Sequence, residues 1–376
     1  MPGHICILTS VHRAFDTRIF HKQAKTLSEA GYGVTLIAQH GKNECVDGIN
    51  IIALPVPSTR LSRIMGNFRV FILALKQNAI VYHFHDLELV PVGILLKIFK
   101  GAKIIYDVHE DAPKDILAKE YIPVGLRGVA SRTIAIVETA CFPFLDAVIA
   151  ASEDITWHLP KNRKVIIVGN FASLKMMSAT PRNSIPVDEN QAVTLIYVGG
   201  ISEDRGIRQM VDALMLLKPR ANLILVGSFE NPGLEKEIRA IVGPEIDFVG
   251  QIDFSRVPDY LAKAQIGLVL FHPDPNSVTS AYRNNKIFEY MAAGIPVVAS
   301  NFPIWKEIVE GNGCGLTVDP IDPAAIANAI QYISSHPAVA EKMRVNGTTL
   351  VREKYNWETE SKKLLSLYEK LLPAAV

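Results

Sequence analysis

Short apolar runs alternate with segments of helical spacing along nearly the whole chain. His4–Thr9 reads as a strand. Behind it, Ile19–Ala30 carries apolar residues at helical spacing (Ile19, Phe20, Ala24, Leu27), until Gly31-Tyr32-Gly33 breaks the pattern. Strand-like runs recur at Val34–Ala38, Ile49–Leu54, Ile80–Phe84, Lys103–Tyr106, Ala147–Ala150 and Val165–Val168, with helical stretches between most of them. From Gly169 to Gln191 the pattern lapses into Ser, Pro, Asn and Met, and then it restarts. Val193–Val198, Asn222–Val226, Ile246–Val249, Ile266–Leu270 and Pro296–Ala299 read as strands, separated by helices over 206–217, 232–241, 255–263 and 285–293. Ile304–Val309, Pro323–Ser334 and Ala338–Glu353 continue as helices, and an amphipathic segment, Trp357–Leu371, follows. Strands that alternate with helices build a doubly wound parallel sheet, whose ligands bind at the carboxyl ends of the strands. The pattern therefore predicts two α/β domains, 1–169 and 192–356, a linker at 170–191, and a final helix in 357–376.

Composition narrows the function. A chain of 376 residues suits two domains with separate cores. The net charge of +1 gives no reason to expect nucleic acid as a partner. The charge is uneven, with 19 Lys/Arg against 15 Asp/Glu in residues 1–170 and 20 against 23 in the rest. Hydrophobic residues make up 49%, yet no apolar run, Leu89–Leu96 included, nears the roughly 20 residues needed to span a bilayer. The N-terminal stretch lacks a basic segment and itself reads as a strand, so no signal peptide is expected. Cys6, Cys45, Cys141 and Cys314 have neither metal nor redox spacing, and the expected location is cytoplasmic. Arg60, Arg63 and Arg69 alternate with Leu61, Ile64, Phe68 and Phe71. Two readings stand: a core helix with its arginines outward, or a basic amphipathic patch that meets an anionic membrane surface.

Candidate chemistry concentrates in the second half. Asn284 and Asn285 are N-cap residues for a helix that ends at Gly294, and Lys286 sits in its first turn. A cation there opposes the helix dipole unless an anion lies nearby, whereas a helix N-terminus with a lysine suits phosphate. Glu289 falls on the same face. Gly199-Gly200 follows a strand and lets backbone approach a ligand, while Arg205 offers a bidentate fork. The plainer alternatives are a solvated helix face and an ordinary strand-to-helix loop. In the first half, His109 ends one strand and His83-Phe84-His85-Asp86 another. The H-x-H spacing has no neighbouring carboxylate–His set in sequence, so no metal site is expected.

Lys286-Ile-Phe-Glu-Tyr-Met-Ala-Ala-Gly-Ile-Pro-Val-Val-Ala-Ser300 resembles the donor-site signature of the retaining GT-B glycosyltransferases, in particular glycosyltransferase family 4. The resemblance implies two Rossmann-like domains facing a cleft, with the last helix returning to the N-terminal domain. It implies a nucleotide diphosphate-sugar donor, UDP-linked, and a glycan or lipid-linked acceptor hydroxyl of polysaccharide assembly. By the same resemblance, Glu289 binds ribose and the helix start (Asn285, Lys286, Ile287) faces the diphosphate. Gly199, Gly200 and Arg205 line the donor loop, and His109 faces the reacting sugar. Charge growing on the leaving phosphate would be met by Arg205 and Lys286, with no cofactor and no metal. The stretch V-H-x-x-x-D-x-R-I-F resembles a subgroup active in bacterial surface-polysaccharide assembly. There Asp16 and Arg18, with His85 and Asp86, would face the acceptor, unless Asp16 and Arg18 pair as a helix-capping salt bridge. Two departures stand out. The family's arginine is Gly200 here, leaving Lys286 or Arg283 as replacement cations, and its first glutamate is Ala281, leaving Asn276–Asn285 to recognise the sugar. An epimerase or a non-catalytic sugar-nucleotide-binding protein on the same fold are the alternatives.

Overall fold

The computed structural model describes residues 3–108, 111–119, 122–160, 164–177, 192–273 and 284–372. The chain divides into two compact units, Met1–Asn170 with Glu358–Val376, and Phe171–Trp357.

The first unit is built on β1 (His4–Arg13), β2 (Gly33–Gln39), β3 (Glu44–Val46), β4 (Ile49–Leu54), β5 (Val81–Phe84), β6 (Lys103–Val108), β7 (Ala147–Ala150) and β8 (Val165–Ile167). Their order is β3-β4-β2-β1-β5-β6-β7-β8, parallel except for β3 against β4. Runs such as Ile5–Leu8 and Ile104–Val108 are buried on both sides, as strands of a parallel sheet covered on both faces must be. β1 has its chain successor β2 on one side and β5, reached by a crossover, on the other. This topological switch point lies beside the carboxyl end of β1. After it, Thr17–Ala24 winds as a π-helix before Lys25–Glu29 turns α-helical, in place of one regular helix.

α1 (Arg60–Leu75) opens on a reciprocal cap between Thr59 and Ser62. It turns Val70 and Ala74 inward, whereas Leu61, Ile64, Met65 and Phe68 are each at least 65% exposed. The core-helix reading of this segment is corrected: its outer face is apolar. α2 (Val90–Lys100) lies alongside, with the Phe71 and Phe99 rings 6.1 Å apart, and adds exposed Ile98 and Phe99. α3 (Val124–Cys141) also turns large apolar residues outward, Val129 and Ile136 among them.

In the second unit, β9 (Val193–Val198), β10 (Ala221–Val226), β11 (Ile246–Gly250), β12 (Ile266–Val269), β13 (Val297–Ser300) and β14 (Gly315–Val318) form a parallel sheet, ordered β11-β10-β9-β12-β13-β14. Alternate residues of each strand enter different cores. Ile196, Ile224 and Val297 pack in one cluster, and Leu195, Leu223 and Val298 in the other. α4 (Ile207–Leu217) follows β9. α5 (Asn285–Ala292) precedes β13, and its Tyr290 hydroxyl accepts the Val198 N–H at 3.0 Å, which fixes this helix against the end of β9. β9 is the switch-point strand here, flanked by β10 and β12. The short strands β3 and β14, each at the edge of its sheet, escaped the sequence pattern.

α6 (Trp357–Leu371) completes the first unit. Its Tyr368 is fully buried, with the hydroxyl 2.9 Å from His83 Nδ1. Beside it, the Arg18 fork binds both oxygens of Asp107 at 3.0 Å and its third nitrogen reaches the Val168 carbonyl. Gln23 donates to the same carboxylate at 2.5 Å. Burial alone raises the Asp107 pKa, but Arg18, with His83 and His85, outweighs it and holds the group well below the usual carboxylate range. These are the charges of a folded core.

Candidate functional site

The carboxyl end of β9 leads into Gly199, at φ +134°. A Cβ there would lie 2.5 Å from Cε and 2.9 Å from Nζ of Lys286, so only glycine leaves the lysine its place. A Cβ on Gly200 would meet Nη1 of Arg205 at 2.6 Å and Oε1 of Glu230 at 2.8 Å. Two bare positions thus make room for two cations from different elements. The Arg205 guanidinium donates to the Gly200 carbonyl at 3.0 Å, lies 5.9 Å from the Phe271 ring centre, and is 3.5 Å from Glu230. Tyr197, buried in β9, donates its hydroxyl to the same carbonyl at 2.7 Å. Lys286 Nζ sits 5.8 Å from the Tyr197 ring and 5.5 Å from that of Phe271. Desolvation, reinforced by repulsion from Arg205 and opposed by Glu289, lowers its pKa from 10.5 to about 8.

The helix start completes this corner. Asn284 caps α5, its side chain accepting the Lys286 N–H at 3.1 Å. The Asn284 amide nitrogen, the Asn285 amide oxygen and the Ser202 hydroxyl are buried without a hydrogen-bond partner. Buried polar groups are costly to leave unpaired, and the two asparagine amides at the start of α5 point to a polar ligand. Glu289 is 5% exposed beside them. Arg205 and Lys286 provide positive charge, the aromatic rings exclude water, and the amides provide directional contacts. The arrangement suits a phosphate-bearing ligand.

Gly199, Gly200, Arg205, Asn285, Lys286 and Glu289 therefore gather at one place. Ile287 differs: its side chain is fully buried in the core, which leaves only its backbone for a ligand. His109, Ala281 and Arg283 lie outside the described residues, as does most of 276–285. In the first unit, Asp16 caps the π-helix by accepting the N–H groups of Arg18 and Ile19, so the capping is real but involves no Asp16–Arg18 ion pair. The Arg18 side chain, 4% exposed, is engaged by Asp107 and does not face an acceptor. His85 is buried too, its ring stacked on His83 at 4.8 Å. The fold brings Asp107 to this histidine pair, a carboxylate that sequence spacing did not reveal. Among the described residues these three form the one His/Asp group whose ligand atoms could surround an ion. A cation there would confront the Arg18 guanidinium already bound to Asp107, so the group reads as a charge network.

Residues 192–336 match the family described as glycosyl transferases group 1. A curated relative, phosphatidyl-myo-inositol mannosyltransferase of Mycobacterium leprae, is 26% identical over 180 residues, 47% of this chain and 46% of its own. The chain spans about half the length of the curated relatives it matches. Sucrose-phosphate synthase of Thermosynechococcus elongatus has a similar structure, with TM-score 0.72, 24% identity and 99% of each chain covered. So does Anabaena HepE in complex with UDP-glucose, with TM-score 0.71, 16% identity and 98% and 100% covered. The fold of the chain is GT-B. Within the matched segment, Tyr197, Phe271, Ser202 and Glu230 join the expected residues. Nothing in the sequence separates the two aromatics from core residues.

Because the Lys286 ammonium loses its proton as pH rises through about 8, anion binding should weaken in the same range. Titration of UDP by calorimetry should give about tenfold weaker binding at pH 9 than at pH 7. Lys286→Arg should flatten that dependence. An identical pH response in both proteins would show that Lys286 does not meet the anion.

Proposed function

We propose that the chain transfers a sugar from a nucleotide diphosphate-sugar, UDP-linked, to a hydroxyl of a glycan or lipid-linked acceptor, with retention of configuration and without a metal. The observation that carries this reading is the convergence of Arg205 and Lys286 on the Gly199–Gly200 turn, beside the unpaired amides of Asn284 and Asn285. As the glycosidic bond loosens, charge grows on the departing phosphate, and the two cations stabilise it. In a front-face route that phosphate also takes the acceptor's proton. Glu289 holds the ribose, a contact that changes little during reaction. The UDP-glucose bound by the similar HepE structure supports the choice of base.

Contacts that strengthen in the transition state appear in kcat, and uniform ones in KM. With donor varied at saturating acceptor, Arg205→Ala should lower kcat by about 10²–10³. Glu289→Ala should mainly raise donor KM, by about 10–150-fold. An Arg205→Ala effect confined to KM would contradict the leaving-group role.

We also propose that the outer face of α1 and α2 docks the protein on an anionic membrane at the cytoplasmic side, near a lipid-linked acceptor. Support comes from exposed Leu61, Ile64, Met65, Phe68, Ile98 and Phe99 beside Arg63 and Arg69, in a half of the chain with excess positive charge. The chain should sediment with anionic but not neutral vesicles. Arg60→Glu, Arg63→Glu and Arg69→Glu combined should abolish this, and equal sedimentation by variant and wild type would refute it.

A further inference from the structure

Glu230 places a negative charge beside the cations of the second unit. Its backbone is tied down: the Ile201 N–H donates to the Ser228 carbonyl at 2.9 Å, and the Glu230 N–H to the Ile201 carbonyl at 3.0 Å. This short parallel bridge between Ile201 and Phe229 joins the loop after β10 to the turn that carries Gly200. From there the carboxylate reaches over Gly200, where a Cβ would lie 2.8 Å from its Oε1. It pairs with Nη1 of Arg205 at 3.5 Å, looser than the ~2.7–2.9 Å of a charge-assisted hydrogen bond. The Arg205 and Glu230 side chains are 32% and 53% exposed, and an ion pair that open to water is weak.

The arginine fork is left open by this pairing. Among the described residues, the hydrogen bond to the Gly200 carbonyl and the contact with Glu230 both use Nη1. Nε and Nη2 remain for a ligand, on a guanidinium held 5.9 Å from the Phe271 ring centre. An anion bound there meets the Glu230 carboxylate as well, and like charges a few ångströms apart repel. Such a neighbour works against tight anion binding. It suits a site that must also let its anion go.

The two nucleotides of a sugar transfer differ in charge. A diphosphate esterified at both ends carries two negative charges. Once the sugar has left, the terminal phosphate has a further ionisation at about pH 6, so the free diphosphate carries a third charge at neutral pH. We propose that Glu230 discriminates against the diphosphate product, repelling its added charge and taking back Arg205 as it leaves. The inference rests on the glycosyl-transfer reading, in which Arg205 meets the departing phosphate and the added charge arises next to Glu230. The acceptor's proton passes to that phosphate and then to solvent, and the deprotonated product meets the full repulsion.

Calorimetric titration of the full chain with UDP and with UDP-glucose, without acceptor, tests this. Glu230→Gln removes the charge at nearly constant size. It should tighten UDP binding about threefold and UDP-glucose binding less. Glu230→Asp keeps the charge and should keep the wild-type ratio of the two affinities. Unchanged or weaker UDP binding by Glu230→Gln would overturn the proposal, because the residue would then only support its loop. An equal gain for both nucleotides, or a Glu230→Asp ratio matching that of Glu230→Gln, would overturn it too. A wild type that binds both nucleotides but transfers no sugar would sink the transferase reading alone, and the titrations would still decide the role of Glu230. A wild type that binds neither would overturn both.

Discussion

Two cations held near each other and partly out of water are the constraint on which the second unit depends. Arg205 comes from the loop after β9 and Lys286 from the start of α5, and they repel strongly enough to help lower the lysine's pKa. Glu289 offsets the effect on Lys286, and the more exposed Glu230 lies 3.5 Å from Arg205. Such a pair is tolerated where an anion completes it. Everything around it serves to keep it in place. Gly199 and Gly200 give it room, and Tyr197 fixes the turn through the Gly200 carbonyl. Tyr290 pins α5 to β9, so that the lysine and the glycines keep their spacing.

The first unit solves the opposite problem. Its buried charges are matched within the fold: Arg18, Gln23 and the His83–His85 pair surround Asp107, and Tyr368 of the last helix closes the cluster. Removing one member of such a network leaves an unpaired buried charge, which costs several kcal/mol. Asp86 is satisfied in the same way, by Thr9, Ser10 and His12. The candidate chemistry of the second unit lies at its switch-point strand, β9, where neighbouring strands part and side chains find space.

How much of this was legible in sequence follows from which interactions are local. The alternation of strands and helices, and the run from Lys286 to Ser300, are written in neighbouring residues, and they were enough for the fold class and for the corner where the glycines and cations meet. The Asn284 cap was legible for the same reason. Arg18 was not, because its partner Asp107 is 89 positions away and only the parallel sheet brings them together. The Asp107 carboxylate beside His83 and His85 was missed for that reason too. The outward apolar face of α1 inverted one reading, since periodicity locates a stripe but does not say which side meets the core. Ile287 was drawn into the site by its neighbours, although its side chain packs inward.

The central claim is that the two glycines exist to seat the two cations. Calorimetric titration of UDP into Gly199→Ala and Gly200→Ala, each confirmed as folded by circular dichroism, tests it most directly. A methyl group at 199 would displace the Lys286 ammonium and one at 200 the Arg205 guanidinium. Losing one charge-assisted contact should weaken UDP binding at least about tenfold in each variant. Wild-type affinity in both folded variants would contradict the account.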